Sequence, residues 1–180
     1  HLAQHETDVV IVDITLKNES GLDFIAHAVK LYPQLKCLAL SMHDESVYAE
    51  RAMKCGAMGY VMKQEASNTI LSALETVCAG NIYLSGKMKD KLLCRVLGKQ
   101  EVHADCNPGQ ILSNREFEVF RLIGEGLASK EIACCMGISV KTVDAHKEHI
   151  RAKLNIESGS RLVTEAVRWK IEHEENTPSA

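Results

Sequence analysis

The chain has 180 residues, 46% hydrophobic and 25% charged, with a net charge of −3; it is too apolar to be disordered and long enough for two small domains. Aromatics are only 4%, so the core is aliphatic, and no apolar run approaches the roughly 18 residues of a membrane span. The first eight residues have neither the basic start nor the apolar stretch of a signal peptide, so a cytoplasmic protein without a membrane partner is expected.

Asp8-Val-Val-Ile-Val-Asp13 is an apolar run closed by acids, as in a parallel strand buried on both faces. The spacing then predicts a helix over Gly21–Leu31, with Leu22, Ile25, Ala26 and Val29 inward, and Pro33 beyond its end. A second strand follows at Lys36–Ser41, a helix at Glu45–Cys55 stopped by Gly56, and a third strand at Gly59–Lys63. Ser67–Ala79 reads as a third helix with a stripe of Ile70, Leu71, Leu74 and Val77. This βαβαβα order implies a parallel sheet with right-handed crossovers. Beyond Ser85 strand signals end: Lys87–Leu97 is a connecting helix, and Gly98–Gly109 has turn chemistry without a period. Four helices are expected at Asn114–Glu125, Ser129–Met136, Val140–Leu154 and Ser160–Glu174, followed by a frayed tail. Ser113 and Glu116 form an S-x-x-E capping box, and Ser129 is the expected N-cap of the next helix.

The seven cysteines include no C-x-x-C and no zinc-type spacing with histidine. They read as reduced thiols acting mostly as small hydrophobes.

The chemistry concentrates in two places. From Ser129 to Arg151 a short helix ends at Gly137, Ile138 fills an angle, and Ser139 caps a second helix: a helix-turn-helix. At 100° per residue Val143, Ile150 and Leu154 anchor that second helix, with the Lys147 stem beside them, while Lys141, Asp144, Ala145, Glu148 and Ala152 face outward. Such a helix can enter a major groove, with Lys141 and Thr142 near phosphate at its first turn. Charge gives mixed support. Residues 110–180 hold ten Lys/Arg against eleven Asp/Glu, but residues 139–161 hold five against three. In the N-terminal half the three strands end in Asp13, Ser41 and Lys63. An acid, a hydroxyl and an amine then converge on the edge of an open α/β sheet where function gathers, a set suited to phosphoryl transfer onto a carboxylate.

The segment Leu112-Ser-Asn-Arg-Glu116, Gly126-Leu-Ala-Ser-Lys130-Glu-Ile-Ala, Gly137-Ile-Ser-Val-Lys-Thr142-Val-Asp-Ala-His146 and Lys153-Leu resembles the LuxR/NarL/FixJ-type helix-turn-helix over about sixty residues. The resemblance implies DNA contact through Lys130, Lys141, Thr142, Asp144, Ala145, His146, Glu148, Arg151 and Lys153, with Asp144, Ala145 and Glu148 at base-reading positions. Two of those three are acids, which accept from cytosine N4 but repel phosphate, so modest, salt-dependent affinity is expected. The last helix would pair subunits through Leu162, Val163, Ala166, Val167 and Trp169; the same residues could instead pack within their own domain.

Asp8-Val-Val-Ile-Val-Asp13, Leu40-Ser41-Met-His-Asp and Gly56-Ala-Met-Gly-Tyr60-Val-Met-Lys63 resemble a response-regulator receiver domain. By that resemblance Asp13 is phosphorylated, Ser41 is the switch hydroxyl, Tyr60 the aromatic that turns with it, and Lys63 the essential lysine. Asp13 and the Thr15 carbonyl would contribute to Mg²⁺ binding, and Lys17 stands where the family carries proline. Nothing before Asp8 supplies the family's first strand with its paired acids, and the chain begins at His1. The reading is therefore a truncated receiver that phosphorylates poorly by itself and leaves Val9–Val12 as an apolar edge.

The expected fold is an incomplete flavodoxin-like α/β receiver (1–85) lacking its first two strands, a helical linker and loop (86–109), an all-α four-helix DNA-binding domain (110–174) and a tail (175–180). The expected function is a non-enzymatic, homodimeric DNA-binding response regulator addressed by a sensor histidine kinase. The alternatives are a phosphorylation-independent regulator and, with Thr15 where a second acid would be needed, a phosphatase or phosphotransferase using Asp13.

Overall fold

A computed structural model describes residues 7–15, 20–97 and 108–174; the loop at Lys17, residues 98–107 of the expected linker and loop, and the tail lie outside the described residues. The chain divides into two compact units.

The first unit holds β1 (Val9–Asp13), α1 (Gly21–Leu31), β2 (Lys36–Ser41), α2 (Glu45–Lys54), β3 (Gly59–Met62), α3 (Ser67–Cys78) and α4 (Gly86–Val96). The strands form a parallel sheet in the order β1-β2-β3, with Ile11 opposite Leu38 and Leu38 opposite Gly59. Strand alternation sends Leu38 and Val61 to one face, where Ala73 and Val77 of α3 close the core. Tyr60 and Ser41 lie on the other face, toward the α1–α2 side. A parallel bridge between Gly59 and Tyr83 extends the sheet by one residue, a pairing that the sequence reading did not anticipate.

β1 is not buried on both faces: only Val12 is buried, and Ile11 is half exposed. The inward face of α1 is Leu22, Ile25 and Ala28 rather than one including Ala26. On α3 the buried pair is Ala73 and Val77, while Leu71 is 57% exposed. In both helices the buried stripe admits small residues, which hydrophobicity alone ranks below the leucines.

Glycine matters at Gly21, where a Cβ would lie 2.2 Å from the Asp13 carbonyl oxygen, so only a bare backbone lets α1 begin against the end of β1. α4 is capped by Ser85, whose hydroxyl accepts from the Met88 amide at 3.1 Å and donates to Glu45 Oε1 of α2 at 2.6 Å.

The second unit holds α5 (Pro108–Ile111), α6 (Asn114–Gly124), α7 (Ser129–Met136), α8 (Val140–Lys153) and α9 (Gly159–Glu174). The turn α5 lies where the sequence suggested only the end of a linker. Its core is Phe117, Phe120, Ile132, Met136, Val143, Ile150 and Leu162. The capping box forms as expected, the Glu116 amide donating to Ser113 Oγ and the Ser113 amide to Glu116 Oε2. Ser129 is not the N-cap of α7. That position is Ala128, and Glu131 accepts its amide instead. Six described cysteines are free thiols, but only Cys37 is buried; Cys78, Cys94, Cys134 and Cys135 are exposed, so most do not act as the small buried hydrophobes that the sequence suggests.

Candidate phosphoacceptor edge and nucleic-acid interface

At the carboxyl edge of the sheet, Asp13 and Lys63 meet. Lys63 Nζ lies 2.5 Å from Asp13 Oδ2, and the Thr15 amide donates to Asp13 Oδ1 at 2.9 Å. The Lys63 amide continues the ladder onto the Ser41 carbonyl at 2.7 Å, which fixes where the ammonium emerges. Ser41 is fully buried and its Oγ accepts from the His43 amide. Tyr60 is also buried, with its hydroxyl donating to the His43 carbonyl at 2.8 Å. Burial pushes the Tyr60 phenol well above its ordinary pKa, a hydrogen bond with Ser41 opposing only in part, so it stays a neutral donor. The four expected residues thus fall into two sets, Asp13 bonded to Lys63, and Ser41 and Tyr60 each bonded to the backbone of His43. His43 joins the second set through its backbone, which no side-chain motif could have announced.

The donors for a divalent ion are few. Asp13 has both oxygens engaged, Thr15 is exposed in the following turn, and the described residues contain no group of three His, Cys, Asp or Glu side chains able to hold a metal. Mg²⁺ requires six oxygens in near-octahedral order, so this set alone does not fit a resident ion.

In the second unit Gly137 ends α7 in the left-handed conformation, at φ 63°. Ser139 then caps α8, accepting from the Thr142 amide. Val143 and Ile150 are fully buried and Leu154 half-buried, so α8 is anchored as its spacing predicts. Lys130, Lys141, Thr142, Asp144, Ala145 and Glu148 are exposed. Three other candidates are not free to face a ligand. His146 is half-buried, with Nδ1 enclosed and lacking a partner; burial holds its pKa below the usual value against the opposing pull of Glu116. Lys153 donates to Glu116 Oε2 at 2.7 Å. Arg151 donates to both Glu148 oxygens, at 2.8 and 3.0 Å, and to the carbonyls of Ile156 and Glu157.

Ser129 is a site residue that sequence reasoning placed in the wrong role. Its hydroxyl accepts from Lys147 Nζ at 2.8 Å and donates to Asp144 Oδ1 at 3.0 Å, orienting the recognition-helix acid from α7. The sequence spacing gives Lys147 only as a stem packed beside the anchor.

On α9 the expected pairing surface is divided. Leu162, Ala166 and Trp169 are buried inside their own unit, with Trp169 edge-on to Phe117 at 5.3 Å. They cannot line an interface without unfolding the domain. Val163 is 46% exposed and Val167 half-buried, in line with the exposed Ile171.

Residues 110–166 match the model of the bacterial regulatory proteins of the luxR family, and residues 1–75 match the response regulator receiver domain. Oxygen regulatory protein NreC of Staphylococcus carnosus is 38% identical over 171 residues, covering 93% of this chain and 79% of that protein. This chain belongs to the LuxR-family response regulators. The NreC protein of Staphylococcus epidermidis is 36% identical over 172 residues with the same coverage. RcsB from Salmonella enterica serovar Typhimurium, solved bound to promoter rprA with a phosphomimetic, shares the fold with a TM-score of 0.54 at 24% identity, covering 92% of this chain and 78% of RcsB. As a LuxR-family response regulator, the chain is a DNA-binding transcription regulator of a two-component system. Receiver domains as a class use Mg²⁺ for phosphorylation. No helix among the described residues is long and apolar enough to cross a membrane.

Proposed function

We propose that Asp13 is the phosphoacceptor, taking its phosphoryl group from a sensor histidine kinase in the cytoplasm. A carboxylate oxygen attacks phosphorus, the bond to the donor imidazole breaks, and Asp13 is left as an acyl phosphate. Lys63 then pairs with the phosphoryl oxygens instead of the carboxylate, while Ser41 and Tyr60 respond to the new charge. The observation that carries this reading is the 2.5 Å contact between Lys63 Nζ and Asp13 Oδ2. On DNA, Lys130, Lys141 and Thr142 would meet phosphate while Asp144, Ala145 and Glu148 face base edges. Two copies would pair through Val163 and Val167 of α9. Incubation with acetyl phosphate tests the acceptor: a small phosphoryl mass increment, limited by the sparse metal donors, present in the wild type and absent in Asp13→Asn supports it, and an increment retained in that variant rejects it.

The sparse metal donors favour a second reading, in which the chain binds DNA without regard to phosphorylation. Equal operator affinity with and without acetyl phosphate would select it.

A further inference from the structure

The exposed face of α8 carries two carboxylates one turn apart, and both are held by their own domain. Arg151 Nη1 bridges the two oxygens of Glu148, at 2.8 and 3.0 Å. That guanidinium is fixed in turn by the carbonyls of Ile156 and Glu157, just past the end of the helix. Glu148 nonetheless remains 67% exposed. An ordinary surface ion pair has two flexible ends. Here the cation is fastened to the backbone, so the carboxylate is aimed outward with its charge offset and its outer lone pairs open. A charge-compensated, acceptor-only group can enter a phosphate-lined groove where a bare acid would be repelled.

Resting on the DNA-binding role of α8, we infer that Glu148 is a specificity-determining residue that reads the N4 amino group of a cytosine in the major groove, with Arg151 as its positioning residue. Cytosine presents a donor there without a neighbouring acceptor. Adenine places N7 beside its amino group, and guanine and thymine offer acceptor oxygens at the corresponding edge, which a carboxylate repels.

The test is enrichment of bound duplexes from a randomised library by the 180-residue protein, followed by affinity measurements on the selected site. The wild type should enrich cytosine at one position per half-site. Glu148→Gln should move that position to adenine, and Glu148→Ala should leave it degenerate. Replacing the selected cytosine by a pyrimidine lacking the N4 amino group should cost the wild type about tenfold in affinity and cost Glu148→Ala nothing. Arg151→Lys, which keeps the charge and loses the fork, should reduce the cytosine preference without abolishing binding. An unchanged preference at every position in Glu148→Ala overturns this inference alone, as does a Glu148-dependent position that prefers another base. Enrichment of no sequence by the wild type overturns the DNA-binding role of this face and the inference with it.

Discussion

Lys153 Nζ lies 2.7 Å from Glu116 Oε2, so the last turn of α8 is fastened to the first turn of α6 across 37 residues of chain. The same carboxylate accepts the Ser113 amide, and it is buried. Burial alone would raise its pKa, but the hydrogen bonds from Lys153 and Ser113 outweigh that and hold it below the ordinary 4.5. A folded pKa below the unfolded one gives stability that is complete above the ordinary value and lost as pH falls through the folded one. Lys153→Met should destabilise the second unit by about 1–2 kcal/mol, because the ammonium is partly solvated. Its acid unfolding should begin at higher pH than in the wild type, as followed by circular dichroism.

His146 adds an earlier acid limb. Burial keeps the ring neutral, lowering its pKa from 6.5 despite the favourable field of Glu116. The stability linked to that neutral form is present above pH 6.5 and lost as pH falls through the folded value. Melting temperature should therefore decline below about pH 6.5, and His146→Leu should flatten the decline down to the onset of the Glu116 loss. An identical slope in that variant would assign the titration elsewhere.

The backbone contact between α6 and α9 gives a sharper packing test. A Cβ at Gly124 would stand 2.7 Å from the Ala166 carbonyl oxygen. Gly124→Ala should cost about 1–3 kcal/mol, since a helix carbonyl cannot step aside as a side chain can. Urea denaturation with an unchanged slope would register it as a loss of stability.

Much of this molecule could be read before its structure. Gly137, Ser139 and the Val143–Ile150 face follow from local chemistry: one glycine in a left-handed turn, one capping hydroxyl and one helical period. Asp13, Ser41 and Lys63 follow from strand alternation and strand ends. The rest depends on long-range pairing that no local period encodes. Lys153, Arg151 and His146 are DNA ligands only by the family resemblance, which carries no information on their partners in this chain. Lys153 and His146 instead turn toward α6, and Arg151 folds onto the chain that follows. Ser129 reads as a cap because its neighbours look like a helix start, while its bonding partners come from α8, 15 and 18 residues away.

The division of α9 makes the pairing reading decidable. Val163→Asp should abolish dimers in sedimentation measurements while leaving the melting temperature within a degree or two, as expected of an exposed position. Leu162→Asp should unfold the second unit outright, because that side chain is 2% exposed. A Val163→Asp protein that still dimerises on DNA would move the interface off this helix.

Ser85 has only one proton to give, and it gives it to Glu45 of α2 while its lone pair holds the first turn of α4. Mechanically, this serine ties the two helices at one point. Rotating α2 by a few degrees must carry the start of α4 with it or leave that start frayed, so this serine removes a degree of freedom at the start of the last helix of the first unit.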